Sequence, residues 1–107
     1  MIIGLTGQTG AGKSTVSEIL KKYMKTTVKS GTGTAAQLSS LEVGGKTGTA
    51  EVTVNGENLS HAWFTGFIDS DDHPLAVCVV VEFGGSGGRV AAPIAHDLLQ
   101  RAVKLGY

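Results

Sequence analysis

Two stretches of this sequence combine residue types at spacings that could do chemistry. The first is Gly44-Gly45-Lys46-Thr47-Gly48-Thr49-Ala50-Glu51, running on into Val52-Thr53-Val54. Lys46 offers a point charge and Thr47 and Thr49 offer hydroxyls. Gly44, Gly45 and Gly48 strip the bulk from the backbone beside them. Glycine weakens a strand, so three of them suggest that another backbone approaches closely there. Val52 and Val54 alternate with Glu51 and Thr53, the period of a half-buried strand. Together these residues describe an edge along which an extended, carboxylate-bearing peptide could lie as an added strand. The plainer reading is a glycine-rich turn with a solvated lysine.

The second stretch is Gly7-Gln8-Thr9-Gly10-Ala11-Gly12-Lys13-Ser14-Thr15, which fits the phosphate-binding pattern G-x-x-x-x-G-K-[ST]. Gly7, Gly10 and Gly12 let successive backbone N–H groups point into one concavity, and a following helix adds its positive end. Lys13 would reach the β- and γ-phosphates. Ser14 would hold a magnesium ion, with Thr15 beside it. An apolar run before it (a strand near residues 2–6) and a helix after it supply the expected context. The stretch resembles the opening of small P-loop kinases such as dephospho-coenzyme A kinase and nucleoside kinases, which implies Mg-ATP as the cofactor. Such proteins also need an acidic residue at the end of a neighbouring strand. Glu82 follows Leu75–Val81 and could imitate that role, but it reads better as an ordinary strand-end residue. The remaining strands are joined by hairpins, unlike the parallel strands of P-loop folds. Weak phosphate binding is the expectation on this reading, and ATP hydrolysis is not.

These stretches need elements to position them. Val16, Ile19, Leu20, Tyr23, Met24, Thr27 and Val28 recur at spacings of three and four, predicting a helix over about 13–30. Lys21, Lys22, Lys25 and Lys29 fall on its solvated face, and Gly31 is expected to end it as a left-handed cap. Strands are predicted near 44–54, 61–68 and 75–83, with Asn55-Gly56 as a tight turn between the first two. Leu75 to Phe83 is apolar without alternation, so both its faces should be covered, with Cys78 a buried, inert thiol. A second helix is predicted near 90–105, with Val90, Ile94, Ala95, Leu98, Ala102 and Leu105 on its buried face, Pro93 in its first turn and Gly106 closing it. The fold class is α+β: a small antiparallel sheet with the two helices packed on its faces.

Composition narrows the function. The chain has 107 residues, enough for a single domain, and its formal net charge of zero leaves no basic footprint for nucleic acid. The single cysteine excludes an internal disulfide. No membrane segment or secretory signal is visible, which by itself suggests the cytosol. His61, His73 and His96 lack the paired spacing of metal ligands, so no metal site is expected. His96-Asp97 is unsuited to a catalytic pair, because adjacent helical residues point apart. Trp63, Phe64 and Phe67 read as core or sheet-face residues before they read as a binding box.

From about Met24 to Leu105 the sequence resembles the C-terminal part of a penicillin-binding protein transpeptidase domain. The matching pieces are Met24-Lys25-Thr26-Thr27-Val28 leading to Gly31-Thr32-Gly33-Thr34-Ala35, then Gly45-Lys46-Thr47-Gly48-Thr49-Ala50-Glu51 and His61-Ala62-Trp63-Phe64-Thr65-Gly66-Phe67. Ala76 to Glu82 follows, then Gly84-Gly85-Ser86-Gly87-Gly88 with Ala91-Ala92-Pro93-Ile94-Ala95. The resemblance implies a serine D,D-transpeptidase parent, without a cofactor, whose K-T-G strand walls the active-site cleft outside the cytoplasmic membrane. By resemblance, Lys46 and Thr47 engage the carboxylate of a peptide or β-lactam. Gly48 leaves room for that ligand, and the Thr49 backbone N–H is half of an oxyanion hole. The family's acyl-serine chemistry also needs S-x-x-K and S-x-N. No serine here has lysine three places on, and Ser70-Asp71-Asp72 only imitates S-x-N. The expectation is one domain over 1–107, with a P-loop-like start over 1–23 and a transpeptidase-like segment over 24–107, as a chimera would have. It should not turn over alone, and it should be prone to pair with a second copy through the exposed Lys46 strand.

Overall fold

The computed structural model describes residues 13–107. The strand expected at 2–6 and the loop glycines Gly7, Gly10 and Gly12 lie outside the described residues, as do the side chains of Lys13 and Ser14. The elements are α1 (Lys13–Ser30), β1 (Val43–Val54), β2 (Glu57–Ile68), β3 (Ala76–Val81) and α2 (Ala92–Lys104), with a short 3-10 turn at Thr34–Ala36 and a π-type turn at Gly87–Ala91. The three strands form one antiparallel sheet in the order β1-β2-β3. The α+β reading and its strand and helix order therefore hold. No described helix is long and apolar enough to cross a membrane.

The β1–β2 hairpin is built on Asn55-Gly56, both at positive φ (52° and 79°). This is the conformation that a two-residue turn matching strand twist demands, and Asn and Gly tolerate it best. Val54 pairs with Glu57 across the turn and Val43 with Ile68 at the far end. Residues opposite each other share a face, so Thr47, Phe64 and Val79 point to one side. That side is the core: Phe64 is fully buried among Val28, Ala36, Val43, Ile68, Val79, Ala91, Ala92, Ala95 and Leu99.

Several expectations change. β3 is not covered on both faces: Val79 is buried, but Val80 is 62 % exposed and Ala76 and Cys78 are exposed too. Cys78 is thus a surface thiol on the outer sheet face. An apolar run signals a strand but not how many layers pack on it, and here the layer is single. In α2 the buried stripe is Ala92, Ala95 and Leu99, while Ile94, Leu98 and Leu105 face water. Alanines let the helix axis approach the sheet, and the bulkier residues are turned outward. Gly31 does not end α1 in the left-handed region. Its N–H bonds the Thr27 carbonyl at 3.0 Å, the Gly33 N–H bonds the same oxygen at 3.1 Å, and the Gln37 side-chain amide caps the Val28 and Lys29 carbonyls at 2.8 and 2.9 Å. The apolar stripe of α1 is covered only toward its end: Val28 is buried, whereas Val16, Ile19 and Tyr23 are exposed.

Lys25 is not a solvated lysine. Its ammonium bridges Glu42, at 2.9 Å, and Asp69, which precede β1 and follow β2. The hydrogen bond to Asp69, then that to Glu42, raises the Lys25 pKa above 10.5, and the Lys25 hydrogen bond lowers that of Asp69 below 3.8. The sign follows from these directions. The Asp69 contribution is complete above about pH 4 and is lost as pH falls through its lowered folded value. The Lys25 contribution is complete below about pH 10 and is lost as pH rises through its raised folded value. Both groups are substantially exposed, so solvent screening keeps the triad near ~0.5–1 kcal/mol. We predict that Lys25→Met lowers stability by about that amount between pH 5 and 9. In denaturant titrations the gap from wild type should narrow progressively as pH falls below about 4, and a gap that stays constant down to the acid limit of folding would contradict the assignment.

Candidate functional site: the outer edge of the Lys46 strand

The Asn55-Gly56 turn sets which backbone groups of β1 are free. A two-residue hairpin closes with a mutually hydrogen-bonded pair, and such pairs then alternate along the ladder. Counting back from Val54 with Glu57, Gly48 and Lys46 direct their backbone groups to β2. Thr47 and Thr49 direct theirs away, to the edge that no described strand occupies. The Thr49 N–H therefore points outward, in position to donate to an incoming oxygen.

The side chains around this edge are held by three neighbours. Thr47 is buried, and its hydroxyl meets that of Thr32 at 2.7 Å. Two hydroxyls in one bond consume one proton and leave the other free to donate. Lys46 is exposed, and its ammonium donates to the Thr47 carbonyl at 2.6 Å, which parks the charge on the same edge. The Thr49 hydroxyl accepts the Gly87 N–H at 3.5 Å. Thr47 and Thr49 thus reach the open edge through their backbone groups and Lys46 through its ammonium, while Gly48 is turned to β2. Thr15 is exposed on the first turn of α1.

The glycines of β1 do not make room for another backbone. A Cβ on Gly44, Gly45 or Gly48 would overlap the ring of Phe67, Phe64 or Trp63 respectively. These rings lie across β1 from β2, so the volume over Gly48 is filled by the Trp63 indole and ligand access is confined to the strand edge. The backbone that does approach closely is Gly87. A Cβ there would overlap the carbonyl oxygens of Gly48 and Trp63 and lie 2.9 Å from the Gly48 nitrogen. One on Gly88 would lie 2.5 Å from the Thr32 carbonyl oxygen. The stretch Gly84–Gly88 is the packed back of the site. Sequence reasoning missed Thr32, Trp63 and Gly87 as site-shaping residues. The only signal was the glycine cluster itself.

The histidines are taken up by backbone. His96 Nδ1 donates to the Gln37 carbonyl at 2.6 Å, His73 Nδ1 meets the Tyr107 carbonyl, and His61 Nδ1 accepts the Phe83 N–H at 2.9 Å. No group of three or more potential metal ligands occurs among the described residues.

The β1 edge thus carries Lys-Thr-Gly-Thr and is backed by a glycine loop that leads into the C-terminal helix. The chain belongs to the penicillin-binding protein transpeptidase domain family, whose model matches residues 10–100. That match begins before α1, so the helix following the phosphate-loop pattern lies within it. The chain is 36 % identical over 75 residues to the peptidoglycan D,D-transpeptidase PbpA of Mycolicibacterium smegmatis, covering 64 % of this chain and 15 % of that protein. It is 36 % identical over 101 residues to the stage V sporulation protein D of Bacillus subtilis, covering 84 % of this chain and 16 % of that protein. Among solved structures, the transpeptidase domain of the FtsI4 D,D-transpeptidase from Legionella pneumophila superposes with a TM-score of 0.72 at 28 % identity, over 85 % of this chain and 36 % of that one. The chain thus spans about a sixth of the length of these curated relatives.

Gly87 generates a prediction. Gly87→Ala forces a methyl into two backbone carbonyls that belong to paired strands and cannot yield cheaply. We predict a loss of about 1–3 kcal/mol, read as a lower denaturation midpoint with an unchanged m-value. Gly85→Ala, where a Cβ would meet nothing but the residue sits at φ 84°, should show only the cost of its backbone conformation. Equal stability of Gly87→Ala and wild type would refute the packing described.

Proposed function

We propose that this chain carries the substrate-carboxylate wall of a peptidoglycan D,D-transpeptidase and does not form an acyl-enzyme by itself. The observation that carries this reading is the free outer edge of β1, with the Thr49 N–H directed outward beside Lys46 and Thr47. An extended peptide, or the carboxylate-bearing ring of a β-lactam, would pair with that edge as an added strand. Lys46 would leave the Thr47 carbonyl for the ligand carboxylate, and the free proton of the Thr32–Thr47 hydroxyl pair would donate to it. The Thr49 N–H would serve as one oxyanion donor. Within the 107 residues no S-x-x-K serine and no S-x-N element is present to supply nucleophile and base. No cofactor is needed on this reading. It also puts the work outside the cytoplasmic membrane, against the cytosolic placement that the lack of a signal suggested. The same open edge invites a second copy, which would compete with the peptide.

The test has two arms. With a fluorescent penicillin, no band should survive denaturation, and a covalent band would overturn the absence of a nucleophile. In an NMR titration with a peptide ending in D-Ala-D-Ala, the Thr47 and Thr49 amides should shift. Lys46→Ala should weaken that binding by about fivefold or more, the scale of a charge-assisted hydrogen bond at a half-open site. Binding that is indifferent to Lys46→Ala would overturn the wall.

A further inference from the structure

We propose that His61 is a positioning residue for this edge, acting on Thr49 through the loop Gly84–Gly88. This rests on the reading of β1 as a ligand-binding edge, but each contact in the chain is visible without a ligand. His61 lies on β2 opposite Ala50, on the sheet face away from the core. Its Nδ1 accepts the backbone N–H of Phe83 at 2.9 Å, just past the end of β3. A backbone N–H can only donate, so the imidazole must be the Nε2–H tautomer with Nδ1 unprotonated. The Phe83 ring also packs on the His61 ring, with centroids 4.9 Å apart.

Phe83 needs such a hold. Its φ is +53°, a region that a residue with a bulky side chain enters only when its surroundings over-determine it. Asn55, the other non-glycine residue described at positive φ, sits in a tight turn that asks for it. Phe83 instead sits where the chain leaves β3 and turns back over the sheet. The turn is fixed by hydrogen bonds donated by three backbone N–H groups in a row. Phe83 N–H goes to His61, Gly84 N–H to the Val81 carbonyl at 3.1 Å, and Gly85 N–H to the Ser60 carbonyl at 3.1 Å. Only the first relies on a side chain, and that side chain belongs to the strand that also pairs with β1.

Two residues beyond Gly85, Gly87 rests on the backbone of Gly48 and Trp63 and gives its N–H to the Thr49 hydroxyl. That bond turns the Thr49 side chain toward the loop. His61, within β2, thus sets the path of the loop that holds Thr49 on β1. A purely structural role would need only a ring to pack on Phe83. The positioning role needs an acceptor at the Nδ1 position.

Two substitutions separate the roles. His61→Phe keeps a ring and removes the acceptor. His61→Asn removes the ring and keeps an acceptor close to where Nδ1 lies. Amide hydrogen exchange is read with no ligand present, so it stands apart from the binding test above. We expect His61→Phe to speed exchange at Phe83, Gly85 and Gly87 by about three- to tenfold, the worth of one hydrogen bond, while the central β1–β2 amides keep their protection. The Thr49 methyl resonance should shift with them, and His61→Asn should restore both. Unchanged exchange at Gly87 in His61→Phe, or no rescue by His61→Asn, would overturn the proposal. Should the variants fail to fold, the imidazole ¹⁵N shifts of the wild-type chain decide. An unprotonated Nδ1 supports the proposal and a protonated one overturns it.

Discussion

The structure depends on aromatic rings of β2 lying over the bare backbone of β1. Phe67, Phe64 and Trp63 fill the space that side chains on Gly44, Gly45 and Gly48 would have taken. Each strand supplies what the other lacks. The rings need a flat floor, and the glycines, which would otherwise weaken β1, gain a cover. The fit also holds the register, because a slip of one residue would carry every side chain to the opposite face and set the rings against Lys46 and the threonines. Phe64, on the sheet face opposite to Phe67 and Trp63, is with the same ring the centre of the core, where Val28, Val79 and the alanines of α2 meet it.

The site is the outer consequence of that register. With β1 locked to β2 on one side, its odd-numbered backbone groups have only the open edge to face. The polar side chains beside them are tied inward or along the strand: Thr47 to Thr32, Lys46 to the neighbouring carbonyl, and Thr49 to the glycine loop. The glycines of that loop are there for thinness more than for mobility. Gly87 and Gly88 bring one backbone down on another where no side chain fits. The helix α2 that follows is laid close by Ala91, Ala92 and Ala95, all fully buried.

The order of elements was legible from residue pattern alone. The Asn55-Gly56 turn, the alternation of Val52 and Val54, and the stop at Gly106 each have one local physical cause, and a local cause can be read from a short window. What escaped reading depends on residues far apart in the chain. Cys78 looked buried because its neighbours are all apolar, yet whether a layer covers β3 is decided by helices elsewhere. The face of α2 was misjudged because its bulkiest residues, Ile94 and Leu98, were expected to be inside. The short distance to the sheet favours alanine. Lys25 was counted with its solvated neighbours, since nothing local shows that Glu42 and Asp69 converge on it. At the site, the run from Lys46 to Thr49 was visible. Thr32, Trp63, Gly87 and the grip of His61 on Phe83 were not, because each acts across the sheet.

The hydroxyl contact between Thr32 and Thr47 has one further consequence. Either oxygen can be the donor, so the bond has a direction that is not frozen into the heavy atoms. Turning two rotors reverses it, and Thr47 then changes from a group that gives a proton to one that receives it. The hydroxyl pair can thus present either a proton or a lone pair at that point without any movement of the backbone.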